Sequence, residues 1–176
     1  MKLLTDAILF AARSHNGQFR KDGSTPYINH PLEVMHLLAH TAGVTDTEIL
    51  MAAVLHDVVE DTDVTAEEIR ERFGLRVSKI VMELTDDKTQ TKEERKRQQL
   101  ITADLISPSA RLIRISDKIC NVYDILYAPP GNWPVSRRID YLNWADAVVD
   151  KIRGTNEAME KRFDLLLAEG RNFLTE

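Results

Sequence analysis

The sequence has one cysteine, few glycines and prolines, no basic excess and no long apolar run. Cys120 alone excludes an intrachain disulfide and a multi-cysteine zinc site, which fits a reducing cytoplasm. The net charge of -5 argues against broad binding of nucleic acid. No apolar run approaches the length of a membrane-spanning helix. We therefore predict one globular domain over residues 1–176, located in the cytoplasm, with no nucleic-acid or membrane partner.

Apolar residues recur at helical spacing, and only seven glycines and six prolines are present to interrupt them. This pattern predicts an all-α bundle of roughly nine helices. The predicted helices cover residues 3–15, 31–42, 46–59, 65–73, 75–85, 91–105, 108–127, 135–152 and 156–173. Thr65 followed by Glu68 forms a capping box at the start of one of them. The segments 16–31 and 127–134 are rich in turn-forming residues, so we predict two loops there.

The segment VLHDVVEDT at residues 54–62 places four ionisable side chains on an otherwise apolar helix. Because positions four apart share a helix face, His56 and Glu60 form one polar stripe, and Asp57 and Asp61 form the next. The remaining positions are apolar, so most of this helix is expected to be buried. A buried carboxylate is costly unless something pairs with it. The segment therefore needs a compensating positive charge.

A second core-like segment, RLIRISDKICNVYDILY at 111–127, carries a comparable polar stripe. Its members are spaced three, four and three residues apart: Arg114, Asp117, Asn121 and Asp124. Two buried helices with acidic stripes repel one another unless a cation lies between them. A bound metal would satisfy both stripes. Alternatively, Asp117 simply pairs with Arg114 or Lys118.

The ligand types narrow the choice of metal. His56 can supply an imidazole nitrogen, and Asp57 and Asp117 can each supply a carboxylate oxygen. Mixed His and Asp ligation suits manganese, iron or zinc better than calcium. His30 lies at the end of a proline-bounded loop, where it can point inward, although a surface histidine is the alternative. The pair in HLLAH (36–40) lacks the Glu of an HExxH motif, so we interpret it as two ordinary helix histidines.

Four segments occur in a characteristic order: RKDGSTPYINHPLEV, AAVLHDVVEDT, EEIRERFGLRVSKIVMELTD and RISDKICNVYDI. Together they resemble the hydrolase domain of RelA/SpoT proteins, a branch of the HD-domain phosphohydrolases. The chain is similar especially to the small stand-alone alarmone hydrolases of the metazoan SpoT homolog type. The resemblance covers residues 3–150. It implies a single HD-type helical domain that removes the 3′-diphosphate of guanosine tetraphosphate or pentaphosphate (ppGpp or pppGpp), giving GDP or GTP plus pyrophosphate.

The resemblance also implies roles for individual residues. Carried over by position, one Mn²⁺ ion per site would be bound by His30, His56, Asp57 and Asp117. The Glu-Asp pair of the family motif falls on Glu60 and Asp61, which would position and deprotonate water. The alternative is a purely structural use of this pair, either capping or pairing with Arg20 or Lys21. The expected substrate contacts are Arg20, Lys21, Asn121 and Tyr141.

Two further features affect the expected substrate. A basic group follows the LTDD segment and either forms a solvated helix face or attracts an anionic nucleotide. Its members are Lys88, Lys92, Arg95, Lys96 and Arg97. In RISDKICN (114–121), Arg114, Lys118 and Cys120 replace the Lys, Arg and His that are common in the family. Charge is kept at the first two positions, and Cys120 is interpreted as a small buried residue rather than a nucleophile.

Two other functions remain open. An HD-type phosphatase could act on another nucleotide, such as NADPH. A catalytically silent nucleotide sensor could keep the fold without the reaction. The intact set of ionisable residues argues against a sensor, because a sensor needs no water-activating pair. Binding without turnover in the presence of Mn²⁺ would favour it.

Overall fold

The computed structural model describes residues 1–175 and folds them into ten helices without a named strand. The helices are α1 (Lys2–Ser14), α2 (Asn29–His40), α3 (Thr47–Leu55), α4 (Val58–Asp61), α5 (Ala66–Phe73), α6 (Leu75–Leu84), α7 (Lys92–Thr102), α8 (Pro108–Tyr127), α9 (Val135–Asp150) and α10 (Glu157–Thr175). This confirms the all-α class. None of these helices is both long and apolar enough to cross a bilayer.

One predicted helix, 46–59, is two helices in the structure. Helix α3 ends at Leu55 and α4 begins at Val58, so the chain turns at His56 and Asp57. Asp57 has φ −97° and ψ −7°, the bridge region of backbone space in which many active-site residues lie. Apolar spacing cannot reveal such a turn, because Val54 and Leu55 just before it and Val58 and Val59 just after it are all apolar. The prediction of a continuous helix was wrong at this point.

Side-chain caps begin several of the helices. The hydroxyl of Thr65 accepts a hydrogen bond from the Glu68 backbone N–H, which confirms the cap predicted for α5. Thr91 caps α7 and Ser107 caps α8 in the same way. Each such cap satisfies a backbone donor that has no partner within its own helix. Gly74, with φ 96°, separates α5 from α6 in a backbone conformation that other residues rarely adopt.

Helix α8 belongs to both hydrophobic clusters of the molecule. Ala110 and Ile113 pack in the cluster formed mainly by α1, α2, α3, α5 and α6. Ile119 and Val122 pack in the second cluster, together with α9 and α10. Burying an aliphatic side chain of this size contributes about 1.5–3 kcal/mol. Because α8 is covered on most sides, its polar stripe is confined to the narrow face that is left.

The predicted loop between α1 and α2 folds back on itself as a tight hairpin. The Arg20 N–H donates to the Thr25 carbonyl at 2.8 Å, and the Tyr27 N–H donates to the Gln18 carbonyl at 2.9 Å. The Asp22 carboxylate accepts from the backbone N–H of Thr25 at 3.0 Å and stabilises the tip. This hairpin carries Arg20 and Tyr27 toward the end of α8.

Candidate metal and nucleotide site

A cavity of about 450 Å³ lies where the hairpin, α4, α7, α8 and α9 meet. All ten residues that the sequence predicted for the site line it. They are Arg20, Lys21, His30, His56, Asp57, Glu60, Asp61, Asp117, Asn121 and Tyr141. They come from five separate parts of the chain, so the fold brings together residues that are far apart in the sequence.

The four predicted metal ligands lie at the bottom of this cavity. His30, His56 and Asp117 each offer one ligand atom, and these atoms lie within 4.8 Å of one another. His30 Nε2 is 3.1 Å from Asp117 Oδ1. Asp57 Oδ2 lies 3.2 Å from His56 Nε2 and 3.7 Å from His30 Nε2. Two imidazole nitrogens and two carboxylates therefore converge on one small volume.

The His56 imidazole is arranged as a metal ligand would be. Its Nδ1 lies 2.8 Å from the Ala53 carbonyl, which favours a proton on Nδ1 and a lone pair on Nε2. His56 Nε2 is buried and makes no hydrogen bond to the described residues. A buried polar atom without a partner is rare, and a ligand is one explanation of it. The donor set fits a divalent metal ion that accepts nitrogen and oxygen ligands.

The electrostatics of these groups also favour a cation. Burial alone raises the pKa of Asp117, but the charge of Lys118 and the His30 contact hold it well below its usual value. Burial alone lowers the pKa of His56, yet the Asp57 charge raises it to about 9. Burial alone would likewise raise the pKa of Asp57, but the neighbouring His56 and His30 hold it below its usual value. Both carboxylates are thus ionised at neutral pH, and their combined negative charge attracts a cation.

Glu60 and Asp61 lie one turn beyond these ligands, and each has a cationic partner. Glu60 accepts a hydrogen bond from the Asp86 backbone N–H at 3.0 Å and another from Arg95 at 3.2 Å. Asp61 accepts a hydrogen bond from Lys88. Neither carboxylate pairs with Arg20 or Lys21, which was one form of the structural alternative. Burial is the main cause that raises the pKa of Glu60 to about 7, a value suited to exchanging protons with water.

Tyr27 was not predicted from the sequence as a site residue. Its hydroxyl lies 2.7 Å from Asp57 Oδ2 and 2.8 Å from Asp61 Oδ2. Burial, followed by the charges of these two carboxylates, raises the pKa of Tyr27, so the hydroxyl keeps its proton. The only sequence signal was the position of Tyr27 between a proline and His30, and an aromatic residue in a loop has many ordinary structural uses.

Two of the predicted substrate contacts, Arg20 and Asn121, make hydrogen bonds to other side chains of the protein. Arg20 donates from Nε at 2.9 Å and from Nη2 at 2.6 Å to Asp124 Oδ2, and from Nη2 at 2.8 Å to Asn121 Oδ1. Asn121 in turn donates from Nδ2 to Asp117 Oδ1. This chain links the hairpin to a candidate metal ligand. Arg20 and Asn121 therefore orient Asp117 in addition to facing the cavity.

One wall of the cavity is basic and aromatic. Lys88, Lys92, Arg95 and Lys96 line it, which places four of the five residues of the basic group at the cavity. Arg97 instead pairs with Glu94 outside it.

Three aromatic side chains contact cationic groups in and near this wall, and Lys96 Nζ lies 5.5 Å from the Tyr141 ring centroid and 4.9 Å from that of Trp144. Trp133 has the cationic groups of Lys21, Lys92 and Arg137 at 5.4, 5.0 and 4.2 Å from its ring centroid. Tyr141 is buried and packs edge-on against Trp144 at 5.2 Å. Trp133 and Trp144 were not predicted as site residues, although Trp144 lies only three residues after Tyr141.

Asp117 forms an ion pair with Lys118 and not with Arg114. Its ammonium lies 3.1 Å from Asp117 Oδ2 and 3.1 Å from Gln99 Oε1, with only 2% of the residue exposed. Arg114 donates instead to the Glu83 carbonyl. Asp117 thus pairs with Lys118 through one oxygen, while its other oxygen faces His30. Pairing and metal binding are therefore compatible at this carboxylate.

The remaining sequence interpretations concern residues away from the cavity. His36 and His40 stack on each other on α2, with ring centroids 4.3 Å apart, and neither lines the cavity. Cys120 is buried, and burial raises the pKa of its thiol, which keeps it protonated. Neither feature offers a second reactive centre.

Comparisons with known proteins agree with this geometry. The family model described as HD domain matches residues 7–130. The chain is 46% identical over 167 residues to guanosine-3′,5′-bis(diphosphate) 3′-pyrophosphohydrolase MESH1 of Mus musculus, covering 94% of this chain and 93% of that protein. It is 47% identical over 159 residues to the Homo sapiens protein of the same name, with coverages of 90% and 89%. A solved structure described as a metazoan ortholog of SpoT that hydrolyses ppGpp matches with a TM-score of 0.93 and 42% identity, covering 96% of both chains.

Proposed function

Since this chain belongs to the HD-domain family, we propose that it is a guanosine-3′,5′-bis(diphosphate) 3′-pyrophosphohydrolase. It hydrolyses the 3′-diphosphate of ppGpp or pppGpp, giving GDP or GTP plus pyrophosphate. The observation that carries the proposal is the cavity itself. It combines the cluster of His30, His56 and Asp117 with the adjacent Asp57, a carboxylate pair one turn beyond them and a basic wall. Relatives of nearly the same length that carry this activity in their names support it.

The metal that we propose is Mn²⁺, bound by the side chains of His30, His56, Asp57 and Asp117. A divalent ion in this position supplies Lewis acidity, which makes water easier to deprotonate and withdraws charge from a phosphoryl oxygen. The protein contributes the ligand geometry. The contact of His56 Nδ1 with Ala53 fixes one ring, and Lys118 together with Asn121 fixes the Asp117 carboxylate. Such supporting contacts commonly matter nearly as much as the ligands.

Glu60 is proposed to accept the proton of the attacking water. The water oxygen bonds to the phosphorus attached to the 3′-oxygen, and the bond from that phosphorus to the 3′-oxygen breaks. The 3′-oxygen takes up a proton from solvent, and Glu60 then releases its proton to solvent. Glu60 suits this role because its pKa is raised to about 7, so that it binds and releases a proton near neutrality. Asp61, fixed by Lys88, is proposed to help align the water.

Substrate binding is proposed to use the basic wall and the aromatic side chains together. Lys21 and the free N–H groups of Arg20 face the cavity and can bind phosphate oxygens as a point charge and a planar donor respectively. Asn121 lies between them and the metal ligands. Tyr141 offers an apolar ring for packing against the nucleoside. The local positive charge explains how a chain of net charge -5 can bind a highly anionic molecule.

We further propose that residues 1–176 form one domain, that the protein is cytoplasmic, and that its partner is a small nucleotide rather than nucleic acid. The single cysteine and the acidic net charge support the last two.

Product analysis with Mn²⁺ present tests the proposed function. Purified protein is incubated separately with ppGpp, pppGpp and NADPH, and the products are separated by ion-exchange chromatography. We expect GDP plus pyrophosphate from ppGpp, and GTP plus pyrophosphate from pppGpp. Turnover of NADPH alone would replace the proposed substrate with another phosphorylated nucleotide. Binding of ppGpp without any product would make the chain a nucleotide sensor.

A further inference from the structure

Tyr27 contacts two carboxylates that belong to different parts of the proposed machinery. Asp57 is a proposed metal ligand, and Asp61 belongs to the proposed water-handling pair one turn later. The Tyr27 hydroxyl lies 2.7 Å from the first and 2.8 Å from the second. It carries one proton, so the two carboxylates share a single donor. Two like charges one turn apart repel each other, and a shared donor offsets part of that repulsion.

The contact with Asp57 is made at the atom that matters for metal binding. Tyr27 approaches Asp57 Oδ2, and the same oxygen lies 3.2 Å from His56 Nε2 and 3.7 Å from His30 Nε2. Rotation of the Asp57 carboxylate would carry this oxygen away from both imidazoles. The Tyr27 hydroxyl is therefore placed to prevent that rotation.

The hairpin holds Tyr27 in place without help from its hydroxyl. The Tyr27 N–H donates to the Gln18 carbonyl at 2.9 Å, and Gln18 Nε2 donates to the backbone carbonyl of Asp61 at 2.8 Å. Gln18 Oε1 is fixed by His15 Nδ1 at 2.8 Å, and the His15 ring lies 4.7 Å from the Tyr27 ring. This closed set of contacts ties the hairpin to α4. It would survive removal of the hydroxyl alone.

We propose that Tyr27 is a positioning residue for the reaction proposed above. Its hydroxyl fixes the metal-ligand oxygen of Asp57 and, through the shared proton, holds Asp61 at a set distance from it. Tyr27 acts through these two carboxylates and does not touch the reacting atoms. Its removal therefore weakens metal binding and slows turnover as two separate effects.

Substitution of Tyr27 by Phe (Y27F) removes only the hydroxyl and keeps the ring contacts. The first measurement is a calorimetric titration of metal-free protein with Mn²⁺, without nucleotide. We expect the affinity to fall about 10- to 100-fold, as is typical when a supporting contact of a metal ligand is lost. The result does not depend on which substrate the enzyme uses. Wild-type Mn²⁺ affinity in Y27F would overturn the proposal even if ppGpp hydrolysis were confirmed.

The second measurement is kcat at saturating Mn²⁺, which isolates the effect on Asp61. We expect a lower kcat with little change in KM, and a double-mutant cycle with Asp61→Asn in which the two losses are less than additive. Fully additive losses would mean that Tyr27 does not act through Asp61. Tyr123→Phe is the matched control, because Tyr123 is exposed on α8 and does not line the cavity. It should match the wild type in affinity, kcat and thermal stability.

Discussion

His56 and Glu60 differ in which of their side-chain polar atoms are bonded to the protein and which are left to face the cavity. His56 uses Nδ1 for the Ala53 carbonyl and presents Nε2 to the cavity. Glu60 uses Oε2 for the Asp86 N–H and Oε1 for Arg95. The contact with Ala53 leaves His56 Nε2 free for a cation, whereas burial raises the pKa of Glu60 to about 7. One side chain is suited to bind a cation, and the other is suited to exchange a proton.

Asp117→Ala and Glu60→Gln should separate metal binding from turnover. Asp117→Ala removes a proposed ligand, so the protein should lose both bound Mn²⁺ and ppGpp hydrolysis. Glu60→Gln keeps the size of the side chain and should retain Mn²⁺ while kcat falls about 10²- to 10⁴-fold. Metal content is measured by atomic emission and turnover by GDP release. Glu67→Gln, an exposed residue of α5, is the control and should match the wild type in both.

Normal turnover in Glu60→Gln would contradict the water-handling role. Retention of tightly bound Mn²⁺ in Asp117→Ala would show that the ligand set is different from the proposed one.

The pH dependence of turnover should also report on Glu60. Its pKa is raised to about 7, so below that pH it is protonated and cannot accept a proton from water. We therefore expect kcat/KM to rise with pH through about 7 at saturating Mn²⁺. The same rise should be missing from the residual activity of Glu60→Gln. A rise of equal midpoint in that variant would assign the titration to another group.

The sequence singled out the ionisable residues that line the cavity more readily than the aromatic ones around it. His56, Asp57 and Asp117 stand out because carboxylates and imidazoles are unusual on apolar helices. Tyr27 and Trp133 do not stand out, because aromatic residues have many packing roles. Their contribution depends on which cations and carboxylates the fold places against them.

At the scale of helices, α7 differs from the others that line the cavity. It contributes Lys92, Arg95 and Lys96 to the basic wall, yet none of its residues is buried. Most helical stability in proteins comes from packing of an apolar face, and α7 has little of it. The Thr91 hydroxyl accepts a hydrogen bond from the Glu94 N–H at 3.2 Å. This cap therefore contributes a larger share of the stability of α7 than a cap does in a helix with a buried apolar face.

Thr91→Ala should therefore weaken nucleotide binding. Loss of such a cap costs about 0.5–2 kcal/mol, and here it would loosen the start of the helix that carries the basic wall. We expect KM for ppGpp to rise about two- to tenfold, with kcat and Mn²⁺ affinity close to wild type. Thr65→Ala removes the same kind of cap from α5, which contributes no residue to the cavity. An equal rise in KM in both variants would show that general destabilisation, not α7, is the cause.

Helix positions were largely predictable, while the turn inside 46–59 was not. Capping residues such as Thr65 and Ser107 mark helix starts by a local hydrogen bond, so the sequence reveals them. The turn at His56 and Asp57 has no comparable signal, because it is set by tertiary contacts. Those contacts involve His30, Tyr27 and Asp117, which are distant in sequence.

At the scale of the whole molecule, charge is distributed unevenly. The net charge is -5, yet one wall of the cavity is strongly basic while its floor holds acidic ligands. Composition excluded classes of protein, but it could not show that basic and acidic residues lie on different parts of one cavity. The division follows from α8, whose two apolar faces are buried in separate clusters and whose polar stripe is left to face the cavity.

The most direct test of the account is a titration of metal-free wild-type protein with Mn²⁺, in which bound metal and ppGpp hydrolysis are measured on the same samples. We expect one ion to bind per chain, the rate of GDP release to rise in proportion to bound ion, and metal-free protein to have no activity. Full hydrolysis by metal-free protein, or a fully loaded protein that hydrolyses no ppGpp, would contradict it.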